Sequence, residues 1–266
     1  ILPEPALVRR CIATMPARAL LLALAVLGAA AGSEAAPGPR VDHPYGVAAG
    51  PAGVAFVADG TSGRILRLDL RSRRLAIHAA GFVEPTGVAY ARGVVYVADF
   101  GAGLVRRVGG NGKVTTIARL RQVAAVAVTG TTVYAVAFDG TLARVSGGRL
   151  ERVRVRGGTL LMTEDGTHVS RVDPRTGTKT LAVGGGDAHR VALAADGTLF
   201  VAGGGPESGR LRRVGPGGTS RTLIDDLHVS DVAVVGAGTL LVSAVEPGSL
   251  WRVDARTGAR TKLAGS

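Results

Sequence analysis

The chain has 266 residues, enough for one large repeat domain or two ordinary ones, and 46% apolar content excludes a disordered chain. Its formal net charge of +12 rests almost wholly on arginine, because Lys113, Lys179 and Lys262 are the only lysines. The single cysteine, Cys11, lies in the leader described next, which excludes disulfides, thiol catalysis and thiolate metal sites from the domain that follows.

Residues 1–36 read as a signal peptide. Arg9, Arg10 and Arg18 make a basic start, and residues 19–31 are apolar without a charge. Ser33-Glu34-Ala35 then offers a small-x-small cleavage site. That apolar run of 13 residues is too short to span a bilayer as a helix. Met15 is better placed than Ile1 to start such a peptide. The expectation is a secreted, periplasmic or cell-envelope protein whose domain begins at residue 37, with no transmembrane segment in the mature chain.

From residue 45 onward, short apolar segments alternate with glycine and aspartate turns. The first repeat gives residues 46–48, 55–59, 65–69 and 75–79; the second gives 87–89, 95–99, 104–108 and 114–118. Segments of this length, rich in valine, leucine and tyrosine and bounded by turn residues, predict strands. No stretch after residue 40 holds a helical period over eleven or more residues.

A common frame recurs around Arg67, Arg107, Arg144, Arg171, Arg213 and Arg252. An apolar residue stands two places before each arginine and another directly after it; glycine stands four places before in all but one. The spacings are 40, 37, 27, 42 and 39 residues. Four strands per unit of about 40 residues is a propeller blade, and six units would close a ring. The sequence therefore predicts an all-β, six-bladed β-propeller over residues 37–266. The short spacing between Arg144 and Arg171 predicts one shortened blade, around residues 146–182. Residues 149–155 then serve either as the last strand of blade three or as the inner strand of blade four.

The frame Pro-x-Gly-Val-Ala, Val-Ala-Asp and Arg-Leu-Asp stands most fully at Pro44 to Ala48, Val57-Ala58-Asp59 and Arg67-Leu68-Asp69. Pro85 to Ala89 and Val97-Ala98-Asp99 repeat it. This pattern resembles the NHL-repeat propellers. Among enzymatic relatives, the gluconolactonase-like family implies an early Glu-Gly-Pro, whereas Glu84 here precedes Pro85 and Thr86. The virginiamycin B lyase family resembles the Pro44-Tyr45-Gly46 opening, but its second-strand aromatic signature is replaced here by Val57-Ala58-Asp59.

In propellers, ligands and metals gather at the mouth of the central channel. Four places before each inner-strand valine the chain reads His43, Glu84, Gln122, Asp187 and His228. Imidazole and carboxylate together suit a divalent metal such as zinc, manganese or iron. His189 and Asp231 lie close by in sequence. Asp59 and Asp99 end second strands, and the frame arginines Arg67, Arg107, Arg144, Arg171, Arg213 and Arg252 are expected to pair with such carboxylates between blades.

Function follows less directly. There is no Gly-x-Ser-x-Gly, no phosphate loop and no His-Glu-x-x-His. Arginines spread along the repeats without aromatic platforms argue against nucleic acid. The leading expectation is a monomeric binding module for a protein, glycan or small molecule, with anionic partners favoured by the basic charge. The other is a metal-dependent lactonase or lyase.

Overall fold

The computed structural model describes residues 38–265, apart from residues 140, 147–148, 153–159, 165–167, 173–178, 185–187 and 206–207. The expected leader lies outside the described residues.

All regular structure among the described residues is strand. The first blade is β1 (Pro44–Ala49), β2 (Val54–Asp59), β3 (Arg64–Asp69) and β4 (Leu75–Ala80). The second is β5 (Pro85–Ala91), β6 (Val94–Asp99), β7 (Leu104–Val108) and β8 (Val114–Arg119). The third is β9 (Val123–Thr129), β10 (Thr132–Ala137), β11 (Leu142–Ser146) and β12 (Arg149–Arg152). Three strands follow: β13 (Leu160–Glu164), β14 (His168–Val172) and β15 (Lys179–Val183). Then come β16 (Arg190–Leu193), β17 (Leu199–Gly205), β18 (Ser208–Val214) and β19 (Ser220–Ile224). The last blade is β20 (Val229–Gly236), β21 (Thr239–Ala244), β22 (Ser249–Asp254) and β23 (Arg260–Gly265).

Each sheet joins consecutive strands in antiparallel order, giving five complete four-stranded blades and one three-stranded sheet, β13-β14-β15. The outcome is an all-β propeller. For the described part of the segment 149–155, Arg149–Arg152, the alternative resolves in favour of blade three, because β12 pairs with β11 through Ala143↔Arg152 to Ser146↔Arg149; residues 153–155 lie outside the described residues. Aligned on the arginine frame, β14 occupies the third-strand place. The strand that β13–β15 lacks among the described residues is therefore the innermost one.

Strand alternation explains how one blade serves two neighbours. β2 is buried at every position. Its Val54, Phe56 and Ala58 pack with Val88, Val95 and Val97 of the second blade. Its Ala55 and Val57 pack on the other face with Ala233, Leu241 and Leu250 of the last blade. Successive side chains point to opposite faces, so a strand sandwiched between blades must be apolar throughout. Similar clusters join the second blade to the third, β13–β15 to β16–β19, and β16–β19 to the last blade.

Among the described residues, ring closure uses no shared strand. Val41 enters the apolar cluster between first and last blades together with Leu263. Gly248 in the last blade lies so close to the Asp42 carbonyl that a Cβ there would overlap it. The guanidinium of Arg252 donates across the same seam to the Leu70 carbonyl.

Candidate functional site

One end of the complete blades gathers the starts of inner strands and the ends of second strands; we call it the mouth. Four of the five sequence-selected ring residues occupy equivalent places there. The carbonyl of His43 accepts the N–H of Gly60 at 3.0 Å, and that of Glu84 accepts Phe100 at 2.9 Å. Gln122 accepts from Phe138 at 2.9 Å, and His228 accepts from Val245 at 3.2 Å. Each ring residue thus faces the residue that directly follows the neighbouring second strand. Asp187 lies outside the described residues; in its blade, exposed His189 donates its N–H to the Ala202 carbonyl at 2.8 Å.

The ring side chains differ in setting. His43, Glu84 and His228 are half-buried, and Gln122 is exposed with φ 53°, a left-handed backbone that a non-glycine residue adopts at a cost. Nδ1 of His43 and Nδ1 of His228 are both shut off from solvent with no hydrogen-bond partner. Burial, and secondly the charge of Asp99, push the Glu84 carboxyl above its ordinary value. Among the described residues, no three His, Cys, Asp or Glu side chains form a group able to hold a metal. The described ring members alone do not meet the needs of a divalent ion.

Buried carboxylates hold the mouth in shape. Asp59 is fully buried and accepts the His43 N–H at 2.7 Å, the Ser62 hydroxyl at 2.6 Å and the Arg64 guanidinium at 3.3 Å. Asp99, equally buried, accepts the N–H groups of Val83 and Glu84, each at 3.0 Å, and pairs with Arg106 Nε at 2.9 Å. These contacts stay within one blade and use Arg64 and Arg106, which corrects the expected inter-blade pairing with Arg67 and Arg107. Register gives the reason. Arg67 lies opposite Phe56 and Arg107 opposite Tyr96, three residues from Asp59 and Asp99. Three residues along a strand is about 10 Å, beyond contact.

The other frame arginines keep that same place opposite the second strand: Arg144 faces Tyr134, Arg171 faces Leu161, Arg213 faces Phe200 and Arg252 faces Leu241. Arg213 contributes to holding the exposed Asp196 carboxyl below its usual range, after the backbone and hydroxyl bonds from Thr198. Arg252 does cross a seam, and it meets a carbonyl instead of a carboxylate.

One residue before each inner-strand valine stand Gly46, Gly87, Ala125, Arg190 and Asp231, opposite Ala58, Ala98, Val136, Ala202 and Ser243. A Cβ on Gly46 would stand 2.7 Å from the Thr86 carbonyl, and one on Gly87 would stand 2.9 Å from Ala125 Cα. Small residues there let three inner strands approach closely. Arg190 uses the space, reaching across the channel to the carbonyls of Ala124 at 3.1 Å and Thr86 at 3.4 Å. Asp231 accepts the N–H of Val47 at 2.9 Å and of Val232 at 2.8 Å. Beside it the Ser230 hydroxyl donates to the Pro44 carbonyl at 2.6 Å.

Sequence reasoning passed over Arg190 and the two phenylalanines Phe100 and Phe138. The signal was available: Arg190 interrupts a run of small residues at one repeat position, and the phenylalanines directly follow second strands.

No known family profile and no curated protein sequence matches this chain. Solved structures do match in fold. A Bacteroides thetaiotaomicron protein of unknown function aligns with TM-score 0.65 at 14% identity, over 80% of this chain and 69% of its own. Virginiamycin B lyase from Staphylococcus aureus aligns with TM-score 0.60 at 11% identity, over 84% of each chain. The calcium-binding protein regucalcin from Agrobacterium tumefaciens aligns with TM-score 0.60 at 16% identity, over 77% of this chain and 82% of its own. At such identities the likeness is one of fold.

Proposed function

We propose that this chain is an exported six-bladed propeller of NHL type that binds a ligand at its channel mouth. On this reading the three-stranded sheet is the sixth, shortened blade. The observation that carries the binding role is chemical diversity on a uniform scaffold. His43, Glu84, Gln122 and His228 hold equivalent backbone positions, yet they offer two imidazoles, a carboxylate and an amide. Core positions of the same blades repeat valine, leucine and alanine. A surface that repeats its backbone and varies its side chains is suited to recognising an unsymmetrical partner: a protein, a glycan or a small molecule. Anionic partners gain from the net charge of +12.

The test is a ligand screen followed by a His43→Ala, His228→Ala double variant. Loss of the selected ligand with unchanged thermal unfolding supports the mouth as the site. Unchanged binding overturns it.

A second reading is a metal-dependent lactonase or lyase. It draws on the orphaned Nδ1 atoms of His43 and His228 and on fold neighbours that include a lyase and a calcium-binding protein. It requires the purified domain to retain one divalent ion per chain by elemental analysis. It also requires turnover of lactones or cyclic esters that His228→Ala abolishes. A metal-free, inactive protein sinks it.

A further inference from the structure

We infer that the second and third blades bind an alkylammonium ion at the mouth, with Phe100 and Phe138 against its apolar groups and Glu84 against its charge. The inference rests on the mouth being a binding surface and names the ligand class for one side of it.

Single exposed apolar side chains are ordinary; a convergent group is not. Phe138 is 75% exposed and Val83 63% exposed. The Phe100 and Phe138 rings meet edge to face with centroids 6.5 Å apart, across the seam between their blades. Both follow second strands, where the first blade has Gly60 and the last has Val245. Gly101 extends the patch. A Cβ placed there would stand 2.8 Å from Val83 Cγ1 and 3.1 Å from Glu84 Cβ, so Val83 and Glu84 close over a bare backbone.

Glu84 is fixed at both backbone groups, donating to Asp99 at 3.0 Å and accepting from Phe100 at 2.9 Å. Among the described residues, no lysine or arginine pairs with its carboxyl. The neighbouring Arg106 is committed elsewhere, paired with Asp99 at 2.9 Å. One half-buried carboxylate is therefore left over on a residue whose backbone is bonded to Phe100 and whose Cβ lies against Gly101.

That combination selects among ligands. An anion would be repelled by Glu84. A small hydrated metal ion needs several oxygen or nitrogen ligands, and no group of three His, Cys, Asp or Glu exists among the described residues. A weakly hydrated organic cation loses little on leaving water and gains from the aromatic surface and the carboxylate. Gln122, at the equivalent place in the next blade, adds an amide at the rim. In a chain with 32 basic residues this attraction has to be local, because the overall field repels cations.

The experiment is calorimetric titration of the full chain, at mildly alkaline pH, with choline and with its uncharged carbon isostere 3,3-dimethylbutan-1-ol. Choline is expected to bind at least about tenfold more tightly than the isostere. Glu84→Gln and Phe138→Leu should each weaken choline by about fivefold or more, the second because it keeps apolar area and removes the ring. Ile77→Ala, on the outer strand β4, should change nothing. Equal affinity for choline and the isostere, or no binding by a wild-type chain with native circular dichroism, overturns the inference. If choline fails while another ligand binds and is lost on the double histidine substitution, the mouth reading survives and only the cation site falls.

Discussion

The Asp231 carboxylate accepts the backbone N–H of Val47 at 2.9 Å, tying the innermost strand of the last blade to that of the first. The same carboxylate accepts its neighbour Val232 and feels the charge of Arg190. A buried carboxylate thus forms part of the ring's closure.

Burial raises the Asp231 carboxyl to about 6, outweighing Arg190 and the two N–H bonds, which pull the other way. The folded chain therefore keeps a proton that the unfolded chain releases near its ordinary value of 3.8. The stabilising contribution of this group is complete below that value, falls as pH rises, and is gone above about 6. The span corresponds to about 3 kcal/mol. Urea unfolding from pH about 4 to about 7 should show that slope in the wild type, beyond the slope in Asp231→Asn. Identical slopes would refute it.

Arg190→Met should act on the same titration from the opposite side. It removes the cation that restrains Asp231, so the pH window moves upward. It also strips donors from the Thr86 and Ala124 carbonyls, and a loss of about 2–4 kcal/mol is expected. A variant as stable as wild type, with an unmoved window, would show that the crossing arginine is idle.

Gly248 tests the seam sterically. Its Cβ would collide with the Asp42 carbonyl, so Gly248→Ala must push the entry segment away from the last blade. The expected cost is about 2 kcal/mol or more. Gly217 has open space around it, and Gly217→Ala should stay within about 0.5 kcal/mol. Thermal unfolding of the pair distinguishes a tight seam from a loose one.

Asp59→Ala leaves the Arg64 guanidinium and the His43 N–H without their buried acceptor. A loss of about 3–5 kcal/mol is expected, with faster amide exchange at Val41, Asp42 and His43 as the entry segment loosens. Slow exchange there would place the support elsewhere.

The repeat frame was legible because blades alternate their faces between two neighbours, which forces near-continuous apolar strands at a fixed period. The deficit before Arg171 was legible for the same reason, since the sheet there has three strands among the described residues and its period is shorter. The partners of Asp59 and Asp99 were not. Aligning on the recurring Arg67 and Arg107 selects residues in equivalent places, while contact depends on which residue lies near the carboxylate along the ladder. Pairing Asp59↔Arg64 depends on the strand register, which periodicity leaves open. The mouth was half legible. Counting back from the inner valine located His43, Glu84, Gln122 and His228, but Phe100 and Phe138 reach the same surface from the neighbouring strand. Only a cross-strand pairing joins the two sets.

Every complete blade is built from four successive strands, and the seam between last and first is held by side-chain packing and hydrogen bonds like its neighbours. The seam is thus an ordinary joint in the wheel. Joining residue 265 to residue 38 through a short flexible linker, and cutting the chain between β8 and β9 instead, would leave each sheet whole. Such a circular permutant should assemble the same wheel from a different starting spoke, with the order of synthesis changed and the set of contacts preserved.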